Sequence, residues 1–143
     1  MNHKSLKPLA TTFFVSGIWD LIAGIMYLFF IGIGRKIDHP LIDPFFSIFL
    51  GSFFLCFAYL QFLSALNIKR YAFNVGCLIF GRIFYVILLF SYMIFADYFP
   101  STFWFTGIID SLFIVLYIIF AYQGGLVLRD LFLPKIERKT STS

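Results

Sequence analysis

Three ionisable side chains stand inside long apolar runs of this chain: Asp20 in FFVSGIWDLIAGIMYLFF, Arg82 in CLIFGRIFYVILLFSYMIF and Asp110 in TGIIDSLFIVLYIIF. A guanidinium does not shed its proton in a protein, so in apolar surroundings Arg82 needs an anionic partner or water. One arginine with two carboxyls can form a structural ion pair that fixes helix rotation, or it can bind or move a proton or a cationic group. One Arg does not balance two Asp, so a proton, a cation, water or a ligand must make up the difference.

Other chemistry is largely excluded. His3 and His39 fall outside the apolar runs, which leaves no bis-histidine pair for haem. The sequence holds no Gly-rich phosphate loop, no nucleophile elbow and no HExxH, so no catalytic residue is nominated. Cys56 and Cys77 lie inside apolar runs without CxxC spacing, which predicts small core residues instead of a disulfide or a zinc site. His39 with Asp38 and Asp43 could hold a metal, but His-Pro and Asp-Pro in a charged turn more often cap helices; no metal or cofactor is expected.

The elements that position the three charges follow from composition. At 143 residues the chain fits one domain, and 13% charged residues with 61% hydrophobic ones is far from the ~25% charged of soluble domains. A soluble core of this size could not hide 22 Phe, and a mean hydropathy of +0.93 makes this an integral membrane protein. The net charge of +4 could suggest nucleic acid, yet the basic residues sit at the ends of apolar runs, as orientation-setting loop charges do; no nucleic-acid partner is expected.

Four runs, 12–33, 45–66, 71–95 and 101–122, are each long enough at about 20 residues to cross a hydrocarbon core of about 30 Å. The predicted fold class is therefore all-α, an integral membrane four-helix up-down bundle. The first run is too long for a signal peptide and lacks a small-x-small cleavage pattern, so it reads as a retained span. The breaks have physical content: GIGRKIDHPLIDP ends one helix, with Asp43 as cap and Pro44 at the first position of the next. Residues 67–70, Asn-Ile-Lys-Arg, form a short turn that makes the second and third helices antiparallel neighbours, and Pro100 breaks the third from the fourth. Residues 1–11 read as a cytoplasmic N-terminus, and 123–143 as a short amphipathic segment at the interface with a disordered tail.

An even number of spans puts both termini on the side of the 67–70 turn. That side carries Lys4, Lys7, Lys69, Arg70, Arg129, Lys135, Arg138 and Lys139, against Arg35 and Lys36 opposite, which predicts cytoplasmic termini. Counting from that side at about 1.5 Å per residue places Asp20, Arg82 and Asp110 at about 12, 16 and 18 Å. All three fall near the midplane, where a charge left facing lipid costs about 3–15 kcal/mol, so they should turn inward and meet.

Polar and small residues around them follow helical spacing. Gly17, Asp20, Gly24 and Tyr27 share a face of the first span; Ser52, Cys56 and Tyr59 one of the second; Gly81, Arg82 and Tyr85 one of the third; and Phe103, Thr106, Gly107, Asp110 and Tyr117 one of the fourth. Tyr27, Tyr59, Tyr85, Tyr117 and Thr106 are thus candidate linings of a small cavity near the bilayer centre, although Tyr and Phe stripes usually just pack. At an offset of 90 residues, TFFVSGIWDLIAGIMYLFF from Thr12 matches TFWFTGIIDSLFIVLYIIF from Thr102 in Thr, Phe, Gly-Ile, Asp and Tyr. Helices of opposite direction with matching sequence resemble an inverted repeat, although Phe- and Ile-rich segments match by coincidence more often.

The stretches DPFFSIFLGSFFLCFAYLQFLSALNIKRY, GRIFYVILLF and GIIDSLFIVLYIIF resemble small bacterial four-helix membrane proteins of the BphX-like kind, near the DoxX-like ones. The shared pattern is a basic turn after one helix, Gly followed by Arg or Lys in the next, here Gly81-Arg82, and Gly-x-x-Asp in the last, here Gly107 and Asp110. The likeness covers about residues 12–122; at Trp19-Asp20 the family commonly has Asn. It implies a multi-pass protein of a bacterial cytoplasmic membrane and implies no activity. The expected function is a binding or accessory subunit, not an enzyme, with lipid bilayer around it and a lipophilic small molecule, a membrane complex or a second copy as partner. The alternative is a proton- or cation-coupled transporter or membrane enzyme subunit using Asp20 and Asp110 as proton acceptors.

Overall fold

The computed structural model describes residues 5–33, 43–95 and 102–133, and every regular element among them is helical. Helix α1 (Lys7–Ile25) starts ahead of the expected span because Leu9 and Phe13 are both fully buried in the bundle, with Pro8 in the first turn, where a missing N–H is tolerated. It runs on into eight residues of wider π-helix, Met26–Ile33, in place of the single α-helix expected over 12–33. Helix α2 (Pro44–Leu66) opens as its sequence predicts: the Asp43 carboxylate accepts the Phe45 N–H at 2.8 Å, and Pro44 takes the first helical position. Asp43→Ala should therefore cost about 1 kcal/mol of unfolding free energy in detergent, with Asp43→Asn retaining most of it. Asp38 and His39, named with Asp43 as a conceivable metal site, lie outside the described residues.

Helices α3 (Ala72–Phe95) and α4 (Thr102–Gln123) complete the bundle. Each helix packs on its chain neighbours and α1 also on α4, which closes an up-down ring. The four are long and apolar enough to cross a membrane. Their outer faces carry Phe45, Phe84, Phe105, Ile108 and many other exposed apolar side chains, a surface far larger than water tolerates. Cys56 and Cys77 belong to that outer surface and not to the core, contrary to expectation.

Among the long helices the closest packing is between α2 and α1 with its π-helical continuation. A Cβ on Gly51 would lie 2.6 Å from the Leu28 nitrogen and 3.0 Å from the Gly24 carbonyl oxygen, so the two backbones touch and no side chain fits between them. The pair α2–α3 is the sparsest of the ring, which leaves a gap between those helices.

The end of the bundle where α1 begins is closed by a folded-back segment. Gly125, at φ 72°, stops α4 in a left-handed residue, with Leu126 N–H donating to Ala121 O and Gly125 N–H to Tyr122 O. The short helix α5 (Leu128–Phe132) then docks on α3, so closely that a Cβ on Gly76 would lie 2.0 Å from the Leu131 carbonyl oxygen. Leu131 joins Leu9, Ile68 and Val75 in the core, so this part of the expected interfacial segment is a cap on the bundle. Gly76→Val should push α5 off α3; the readout is faster tryptic cleavage after Arg129, with little change in the far-ultraviolet helix signal.

Candidate functional site

The four helices bring Asp20, Arg82 and Asp110 together at the bundle centre. Arg82 Nη2 donates to Asp20 Oδ2 at 2.7 Å and its Nη1 donates to Asp110 Oδ1. Its guanidinium carbon lies 5.2 Å from the centroid of the Phe113 ring, so edge and face of the cation are both engaged. The three residues are 3–8% exposed, so one cation and two carboxyls are held out of solvent together. The two aspartates, equivalent at the 90-residue offset, reach one guanidinium from helices of opposite direction.

Behind the ion cluster runs a chain of neutral hydrogen bonds that the sequence reading did not contain. Gln61 Nε2 donates to Asp20 Oδ2, the Ser16 hydroxyl donates to Gln61 Oε1, and the Ser16 oxygen pairs with the Tyr117 hydroxyl. A serine has one proton; if Gln61 receives it, Tyr117 is the donor to Ser16. The order Tyr117, Ser16, Gln61, Asp20, Arg82, Asp110 therefore ties α4 to α1, α2, α1, α3 and back to α4. Tyr117 is 1% exposed and stacks on Phe13 at 4.3 Å between centroids, which fixes the far end of the chain. Buried polar groups persist where each finds a partner, and here they meet that condition through one another.

In front of the cluster lies a cavity of about 220 Å³. Its walls are Leu50, Phe53, Phe54 and Phe57 of α2 with Gly81 and Tyr85 of α3, and Asp20, Arg82 and Asp110 form its floor. Because α2 and α3 are the loosely packed pair, and Phe53 and Tyr85 are 53% and 38% exposed, the cavity opens sideways between those helices. Gly81 keeps the wall open: a Cβ there would meet only the Phe57 ring, at 3.8 Å.

Of the residues expected to line a cavity, Tyr85 does so. Tyr27 stands behind the wall, stacked on Phe54 at 5.8 Å, and Thr106 donates to the Phe103 carbonyl while interacting with the Tyr85 side chain. Tyr117 is interior but on the opposite side of the ion cluster, in the hydrogen-bond chain. Tyr59 is 65% exposed on the outer surface, as are Ser52 and Cys56, because the buried face of α2 is that of Ser47, Gly51, Ala58, Gln61 and Ser64. The signal that could have found this face is Gln61 itself, the most polar residue of its run.

Fold and site together define a four-helix bundle, apolar outside, with a buried Arg–Asp cluster at the floor of a lateral cavity. Comparison of the chain with protein-family models, with curated proteins and with solved structures finds no match to any of them.

Proposed function

We propose that this chain is a multi-pass protein of a bacterial cytoplasmic membrane that binds a lipophilic small molecule taken from the bilayer through the gap between α2 and α3. The observation that carries this reading is the cavity: aromatic walls open to the outer apolar surface, and a floor of charged groups. Binding sites of this kind combine a mostly apolar lining with a few fixed polar groups. Both termini face the cytoplasm in this proposal, since Lys7, Lys69, Arg70 and Arg129 gather at one end of the bundle. The Gly81-Arg82 and Gly107-x-x-Asp110 pattern supports placing the chain near the BphX-like and DoxX-like proteins. The polar chain across all four helices supports a rigid binding or accessory role in preference to an enzymatic one. A membrane complex or a second copy are the partners that the wide exposed Phe surface would admit.

Native mass spectrometry of protein extracted with its lipids tests the reading. A bound small molecule, released in Gly81→Leu, is the expected result; a preparation with no adduct, identical in the variant, counts against it. A second reading, proton- or cation-coupled transport, is favoured by two carboxyls sharing one guanidinium. It requires pH-dependent flux in vesicles that disappears in Asp110→Asn.

A further inference from the structure

We infer that the molecule held in the lateral cavity is a lipophilic cation, an ammonium on a small aromatic or branched apolar body. The inference rests on the binding reading above and sharpens it. The floor of the cavity has one cationic side chain and two acidic ones, so its formal charges leave one carboxyl without a counter-charge. The single positive charge is shared: Arg82 gives Nη1 to Asp110 and Nη2 to Asp20, and its guanidinium carbon lies 5.2 Å from the centroid of the Phe113 ring.

The acceptors have capacity left. Asp20 uses Oδ2 for both Gln61 and Arg82, and Asp110 uses Oδ1 for Arg82. Among the described residues no donor reaches Asp20 Oδ1 or Asp110 Oδ2, although both carboxyls border the cavity. An anionic ligand would meet net charge of its own sign there; a neutral one would leave the surplus carboxyl to a proton or water. A cation satisfies it. The walls suit the same ligand, because Phe53, Phe54, Phe57 and Tyr85 present ring faces or edges around the space, and a desolvated ammonium gains from aromatic faces.

Volume limits the size. An apolar cavity of about 150 Å³ holds benzene, so about 220 Å³ takes one ring with a small branched substituent. Depth limits the source. The floor lies roughly 15 Å along α3 from its first residue, whereas the ammonium of a phospholipid headgroup belongs at the membrane surface. The ligand is a free amine-type molecule that partitions into the bilayer.

The test is calorimetric titration of the full chain in neutral maltoside detergent with benzyltrimethylammonium and with neopentylbenzene, its uncharged isostere. The cation should bind at least about tenfold more tightly, phosphatidylethanolamine should not displace it, and Gly81→Leu should abolish both titrations. Asp110→Asn should remove the preference while leaving neopentylbenzene binding in place. Should that variant fail to fold, the ratio of the two ligands on the unaltered protein decides alone. Equal or tighter binding of neopentylbenzene, lost in Gly81→Leu, overturns the cation and leaves the binding reading standing. Displacement by phosphatidylethanolamine overturns the free-amine assignment. Absence of any titration, or titrations indifferent to Gly81→Leu, overturns the binding reading and the cation with it.

Discussion

Arg82→Leu leaves Asp20 and Asp110 buried without their shared partner and lowers the stability of the bundle by about 3–5 kcal/mol, the cost typical of breaking a buried ion pair from one side. Several losses coincide at this position. Two charged hydrogen bonds disappear, one of them the 2.7 Å contact to Asp20, and so does the contact with Phe113. The ring contact is worth about 2 kcal/mol in a desolvated site, so the stranded carboxyls are the larger loss. Arg82→Lys restores the charge but not the fork: an ammonium on a shorter reach cannot hold α1 and α4 at once, and an intermediate loss is expected. The triple variant Arg82→Leu, Asp20→Leu, Asp110→Leu should recover most of the stability, because replacing a whole buried ion cluster by apolar groups is often near neutral. Unfolding in mixed micelles reads all three. A single Arg82→Leu variant as stable as the parent would mean that the carboxyls are compensated by something other than Arg82.

The three charges were legible because charge in an apolar run is rare and such groups seek one another; Asp20, Arg82 and Asp110 do meet in the bundle. The same logic failed on α2. When lipid and core are both apolar, hydrophobic periodicity does not tell the inner face from the outer. Ser52, Cys56 and Tyr59 satisfied the spacing and point outward, while Gln61, 1% exposed, carries the face that matters. Its partner Ser16 was equally silent, since a serine in such a helix commonly bonds its own backbone, as Ser64 and Ser111 do here. The aromatic walls were hidden for a different reason: among 22 Phe, nothing in the sequence distinguishes Phe53, Phe54 and Phe57. The π-helical stretch Met26–Ile33 has no mark in the sequence that we can identify. The docking of α5 depends on Gly76 facing Leu131, a contact between distant segments that spacing alone cannot show.

Gly51→Leu separates α1 from α2 and costs about 3 kcal/mol or more, at the upper end of overpacking penalties. The same substitution at Gly81 costs little, and the contrast isolates the cause. At Gly51 the first carbon already meets backbone, 2.6 Å from the Leu28 nitrogen and 3.0 Å from the Gly24 carbonyl, and backbone within a helix cannot rotate aside. At Gly81 it meets only the Phe57 ring at 3.8 Å, with the cavity beyond. The damage at Gly51 also reaches the ion cluster. Asp20 lies on α1 one turn before Gly24, so a shift of α1 away from α2 draws its carboxylate from Gln61 and from Arg82. A double-mutant cycle exposes that coupling. In the parent, Asp20→Asn should cost well over 1 kcal/mol by weakening the contact to Arg82. In the Gly51→Leu background the same change should cost almost nothing, because the contact it removes is already broken. Strictly additive costs in that cycle would show that the glycine crossing and the charged cluster are independent, and that the close approach of α1 and α2 does not set the position of Asp20.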